Sequence, residues 1–136
     1  MRVSLTRRVG FRASHYLQLP ELDEAGNRAR FGPTVEPHAH DYTCDVTVGG
    51  NMVRGMVVDL AELDRVLREQ VVATLDGASL NESIPACARR EVLPTCEVVA
   101  AWCWNRLAGL LPSGVTLERV RIAEDDTLHA ECTGSL

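Results

Sequence analysis

His38-Ala39-His40-Asp41-Tyr42-Thr43-Cys44-Asp45-Val46-Thr47-Val48 is the stretch that decides how this chain is read. Its residues alternate: His40, Tyr42, Cys44, Val46 and Val48 fall on one side, and Asp41, Thr43, Asp45 and Thr47 on the other, as a strand of period two requires. Residues two apart on a strand share a face, so His38 and His40 present two imidazoles to one point. Upstream, the odd positions Val3, Leu5, Arg7, Val9, Phe11, Ala13 and His15 alternate with mostly polar even ones, a half-buried strand that brings a third imidazole to its end. Three neutral imidazoles suit a tetrahedral zinc whose fourth position stays open for water or substrate. An H-x-H also arises as two surface histidines on a strand, and spacing alone does not choose between the two readings. The chain has only four histidines, and the pair follows a loop containing Gly32, Pro33 and Pro37, where a rigid scaffold positions ligands.

Working outward, Gln18 to Glu36 is a polar excursion between the two strands, long enough to read as a functional loop. Gly49, Gly50 and Asn51 mark a turn, and Met52 to Val58 reads as the returning strand of a hairpin. Asp59 is an N-cap signal, with Glu62 completing a capping box, for a helix ending near Thr74 whose buried stripe is Leu63, Val66, Leu67 and Val71. A loop from Leu75 to Leu93 leads to Pro94 and Thr95, which open a second helix running to Leu110. Pro112 and Gly114 stop it, and Val115 to Glu124 and Thr127 to Cys132 read as strands around the turn Asp125-Asp126. Strands at both ends with helices between them predict an antiparallel sheet carrying both helices on one face, an α+β arrangement. The polar row of the second strand then faces water or lines an intersubunit barrel.

With 136 residues, 46% of them hydrophobic, residues 1–136 fit a single domain. A net charge of −5 and scattered aromatics argue against a nucleic-acid platform. No apolar run approaches the roughly 20 residues that span a bilayer, and residues 1–12 lack the apolar core of a secretory signal, so no membrane partner and a cytoplasmic location are expected. Five cysteines without a C-x-x-C read as reduced thiols, with Cys96 and Cys103 as small buried hydrophobes in the second helix.

Several motifs recur together: Phe11-Arg12-Ala13-Ser14-His15, Asn27-Arg28-Ala29-Arg30-Phe31-Gly32, His38-Ala39-His40-Asp41-Tyr42, Gly55-Met56-Val57-Val58-Asp59-Leu60, Leu75-Asp76, Leu80-Asn81, Pro94-Thr95 and Glu124. Through them the chain resembles the 6-pyruvoyl-tetrahydropterin and 6-carboxy-tetrahydropterin synthase family across nearly its whole length. The resemblance implies a T-fold of four antiparallel strands and two helices, closing into a homo-oligomeric barrel (trimer or hexamer) with sites between subunits. It also implies that His15, His38 and His40 are zinc ligands. By the same resemblance Glu124 anchors a pterin ring through a charge-assisted fork, with Thr95 as a further contact or simply a helix cap.

The chain also departs from that family. Thr34 stands where many bacterial members carry the catalytic cysteine, and a hydroxyl is far too weak an acid to replace a thiolate near neutral pH. In the Asp-His relay, Asp76 is kept while Gly77 replaces histidine, and Ala39 replaces the usual glycine of H-G-H. Glu36 lies two residues from where some members carry a glutamate, so Glu36 and Asp76 are the candidate catalytic carboxylates, with Asp41 and His129 as further strand candidates. The expected activity is a zinc-dependent lyase or cyclase acting on a pterin-like or other small heterocyclic substrate with altered proton chemistry, including an amine-carbonyl ring closure of specialised metabolism. The alternatives are a standard synthase with a displaced base and a non-catalytic zinc-containing binding protein.

Overall fold

Strands β1 (Arg2–His15) and β2 (His38–Asn51) pair antiparallel along their whole length, so that His15 lies directly opposite His38 and Arg2 opposite Asn51. The computed structural model describes residues 1–134. Strands β3 (Thr116–Asp125) and β4 (Leu128–Cys132) complete an antiparallel sheet in the order β1-β2-β3-β4. Helix α1 (Glu24–Phe31) lies in the β1–β2 connection, while α2 (Leu60–Leu67) and α3 (Cys96–Leu107) cover one face of the sheet. This is the α+β arrangement that the alternating strands predict, because their apolar faces need a second layer to cover them.

The core forms where that layer meets the sheet. Phe11 and Ala13 of β1, Tyr42, Cys44, Val46 and Val48 of β2, and Val120 and Ile122 of β3 pack against Leu63, Val66, Leu67 and Val71 and against Val99, Cys103 and Leu107. The opposite face is polar and paired across strands: Arg8 with Asp45, Arg12 with Asp41, and the Thr6 and Thr47 hydroxyls at 2.7 Å. Alternation in β1 is buried only in its second half, and Leu5 is 36% exposed.

The structure corrects several expected boundaries. The excursion from Gln18 to Glu36 is not a plain loop: Asp23 caps α1 by accepting from the Gly26 amide, and a 3-10 turn spans Gly32–Val35. Buried Asn27 organises this segment, accepting from the Leu19 amide and donating to the Leu19, Leu22 and Asp23 carbonyls. Met52 to Val58 is not a strand; only Val53 and Met56 bridge there. Gly49 and Gly50 belong to β2 rather than to a turn, and glycine is needed because a Cβ on Gly50 would meet the Gly114 carbonyl oxygen at 2.8 Å. After α2 the helix continues through a π turn, Arg68–Val72, and ends at Leu75, one residue beyond Thr74. Asp59 caps α2 through the Ala61 and Glu62 amides, while the Glu62 carboxylate pairs with Arg65. The segment from Leu75 to Leu93 contains helical turns Leu80–Ser83 and Pro85–Ala88, and α3 ends at Leu107 rather than Leu110. No helix among the described residues is long and apolar enough to cross a membrane.

Candidate metal centre

The end of the β1–β2 ladder carries the three histidines. Register sets His15 against His38, and two-residue spacing sets His40 beside His38 on the helix-covered side of the sheet. Their ring centroids stand 4.6, 5.2 and 5.1 Å apart, and one nitrogen of each ring lies within 4.8 Å of the others.

The backs of two rings are braced by carbonyls. His15 Nδ1 lies 2.8 Å from the Pro94 carbonyl oxygen and His38 Nδ1 lies 2.8 Å from that of Glu36. A carbonyl only accepts, so both Nδ1 atoms carry the proton and both Nε2 atoms are left as lone-pair donors. Pro94 directly precedes Thr95, whose Oγ1 accepts from the Val98 amide and caps α3, so the start of that helix fixes the first ring. Asn81 fixes the backbone beside it, accepting from the Tyr16 amide and donating to the Tyr16 carbonyl, both at 3.0 Å.

His15 is 3% exposed, and its Nε2 is buried without a partner. His40 Nε2 is likewise unpartnered: Glu124 Oε2 stands 3.1 Å away but outside hydrogen-bonding alignment. An orphaned buried nitrogen costs about 1–3 kcal/mol of desolvation, so a pair of them converging on one point is the mark of a missing partner. A divalent cation satisfies both, and three imidazoles suit zinc. Burial holds the His15 imidazole below its ordinary value, with the neighbouring His38 and His40 adding to the effect and the Pro94 carbonyl opposing it.

Glu124 continues the inward row of Val120 and Ile122 on β3, one residue past the last β2–β3 pair, and lies at the irregularity in the β3–β4 register between Ala123 and Asp125. Its carboxylate touches His40 through Oε2 and the Cys96 thiol through Oε1, the latter at 3.6 Å. Burial and the nearby Glu124 charge push the Cys96 thiol up to about 12, so it keeps its proton at neutral pH and is available as a hydrogen-bond donor. Tyr42, 2% exposed, places its hydroxyl 3.4 Å from His15 Nδ1, and burial first, then Glu124, drives its acidity well below that of an ordinary phenol. The helical pattern predicts Cys96 as a small buried residue, and it is buried; its meeting with Glu124 spans 28 residues, and no local pattern encodes it.

The other candidates lie apart from the three nitrogens. Glu36 supplies its backbone oxygen to His38, while its carboxylate pairs with Arg28 at 2.6 Å and is largely exposed. Asp76 Oδ1 accepts from the Arg12 amide, and Gly77, at φ +75°, donates to the Arg12 carbonyl. Thr34 spends its hydroxyl proton on the Phe31 carbonyl. Asp41 pairs with Arg12 on the far face of the sheet, and His129 Nδ1 lies 3.2 Å from Arg121.

A four-stranded antiparallel sheet with helices on one face and three convergent imidazoles at its end defines a T-fold chain with a candidate metal centre. A profile of the 6-pyruvoyl tetrahydropterin synthase family matches residues 4–135, and the chain belongs to this family. Human 6-pyruvoyl tetrahydrobiopterin synthase is 36% identical over 126 residues, covering 90% of this chain and 85% of that protein. The dihydroneopterin monophosphate aldolase of Pyrococcus furiosus is 28% identical over 131 residues, covering 96% and 97%. The structure of Caenorhabditis elegans 6-pyruvoyl tetrahydropterin synthase superposes with a TM-score of 0.87 at 27% identity, covering 99% of this chain and 97% of that one.

Proposed function

We propose that this chain is a zinc-dependent, pterin-processing lyase whose proton chemistry differs from that of a thiolate-based synthase. One observation carries the reading: His15 Nε2 is buried, unpartnered and aimed at His38 and His40 beside a carboxylate. Relatives that include both a synthase and an aldolase of reduced pterins support a pterin substrate and leave the reaction type of this chain open to its own residues.

In this reading His15, His38 and His40 would hold the metal, which would supply Lewis acidity toward negative charge on the substrate side chain. Glu124 orients the ring by accepting hydrogen bonds from an amino-pyrimidinone edge, a pairing that fixes direction as well as adding affinity. Thr95 keeps α3 in place and, through Pro94, the first imidazole. Thr34 and Gly77 supply no thiol and no imidazole, so proton transfer falls to carboxylates. Glu36 and Asp76 are those proposed here; both lie outside the histidine cluster of a single chain, which suits a site completed at a boundary between copies in a homo-oligomer, trimer or hexamer. A cyclase closing a ring between an amine and a carbonyl fits the same set of groups.

The test is incubation of zinc-loaded protein with 7,8-dihydroneopterin triphosphate. Altered chemistry expects binding of the ring, read by its fluorescence, without release of triphosphate. Release of triphosphate supports the standard synthase instead, and failure to bind the ring overturns the pterin reading.

A further inference from the structure

Glu124 is a mostly buried carboxylate, its side chain 15% exposed, and among the described residues no lysine or arginine pairs with it. Such a group needs hydrogen-bond donors to stay ordered. The donor that meets it is a thiol. Cys96 opens α3, is 2% exposed, and sets Sγ 3.6 Å from Oε1, while Oε2 stands 3.1 Å from His40 Nε2. The two oxygens therefore have different neighbours, one facing the helix and one facing the histidines.

We propose that Cys96 is a positioning residue whose S–H donates to Glu124 Oε1 and turns the carboxylate so that Oε2 faces the open side of the three imidazoles. What Oε2 meets there rests on the pterin reading; the thiol-carboxylate contact does not. Sulfur suits the place on two counts. Its longer bond to carbon reaches a carboxylate that a serine hydroxyl approaches less closely, and as a weak donor it orients Oε1 while leaving lone-pair capacity for a ligand. The thiol stays protonated beside Glu124, so it acts as a donor rather than as a nucleophile.

Two measurements test this on the zinc-loaded full chain. The first is the S–H stretching band of Cys96, isolated by infrared difference between wild type and Cys96→Ala. A hydrogen-bonded thiol absorbs at lower frequency, and Glu124→Gln is expected to move the band toward that of a free thiol; a band unmoved by Glu124→Gln overturns the proposal. The second is binding of 7,8-dihydroneopterin to wild type, Cys96→Ser and Cys96→Ala, the two replacements being nearly equal in volume. Alanine is expected to weaken binding about tenfold, serine less, with zinc content unchanged in both. Equal affinity in wild type and alanine variant overturns the positioning role. A shifted band in a wild type that binds no pterin supports the contact and overturns the substrate reading.

Discussion

Each braced histidine divides its ring between fold and function: Nδ1 of His15 and of His38 is committed to a carbonyl, and Nε2 is left for a ligand. Replacing His15, His38 or His40 singly with alanine is therefore expected to abolish stoichiometric zinc, read by elemental analysis of dialysed protein; a variant that keeps one zinc per chain removes that histidine from the ligand set. The burial that prepares His15 for metal also sets a pH dependence for the metal-free chain. Its folded imidazole titrates below the ordinary value, so the unfolded chain takes up a proton as pH falls through about 6.5 while the folded chain does not. Stability is thus present above that pH and is lost below it. Urea midpoints of the metal-free protein at pH 7.5 and 5.5 are expected to fall more in wild type than in His15→Asn, and an equal fall in both removes His15 as the cause.

At the scale of elements, periodicity carried the strands and caps carried the helices. Asp59 was readable because an N-cap is a local signal; its carboxylate does accept from the Ala61 and Glu62 amides. Asp59→Ala is expected to cost about 1 kcal/mol, seen in the urea midpoint, with zinc content unchanged. Met52 to Val58 looks like a hairpin arm because apolar residues follow glycines, whereas Gly49 and Gly50 lie in β2, where Gly50 lets the chain pass the Gly114 carbonyl. The histidine trio was legible for a related reason, since two of its members lie on one strand and the third ends another. The neighbours of Glu124 were not, because they come from β2 and α3 and depend on how the layers pack. Gly77 shows what a motif comparison omits. Its φ of +75° disfavours a side chain even though a Cβ would meet nothing within 4 Å. Gly77→His is expected to lower stability by about 1 kcal/mol without a clash, measured by urea unfolding; an unchanged midpoint means the turn relaxes freely.

At the scale of the whole molecule, the sheet is unfinished at both sides. The outer edge of β1 is covered near its end, where Gly77 donates to the Arg12 carbonyl and Ser14 donates to that of Ala78, while no element among the described residues pairs with that edge over its first half. The outer edge of β4 has no partner among the described residues. Open edges present unpaired N–H and C=O groups that another chain can pair with. The side chains agree with this. Leu5 stands in the inward row of Val9 and Phe11, and Leu128 continues the row of Ala130 and Cys132, which pair with Ile122 and Val120; they are 36% and 49% exposed at opposite edges of the same face. In the proposed homo-oligomer, β1 of one copy set beside β4 of the next would cover both edges, and the arrangement would repeat around a closed ring. The double variant Leu5→Lys with Leu128→Lys would put two like charges at the proposed seam in every copy, so sedimentation equilibrium is expected to show a closed oligomer for wild type and monomers for the variant. Because His15 and His38 are held within one chain, each monomer is expected to keep its zinc while losing any turnover that needs Glu36 or Asp76 of a neighbour. A variant that stays oligomeric moves the interface elsewhere, and a monomer with full turnover places the whole site inside one chain.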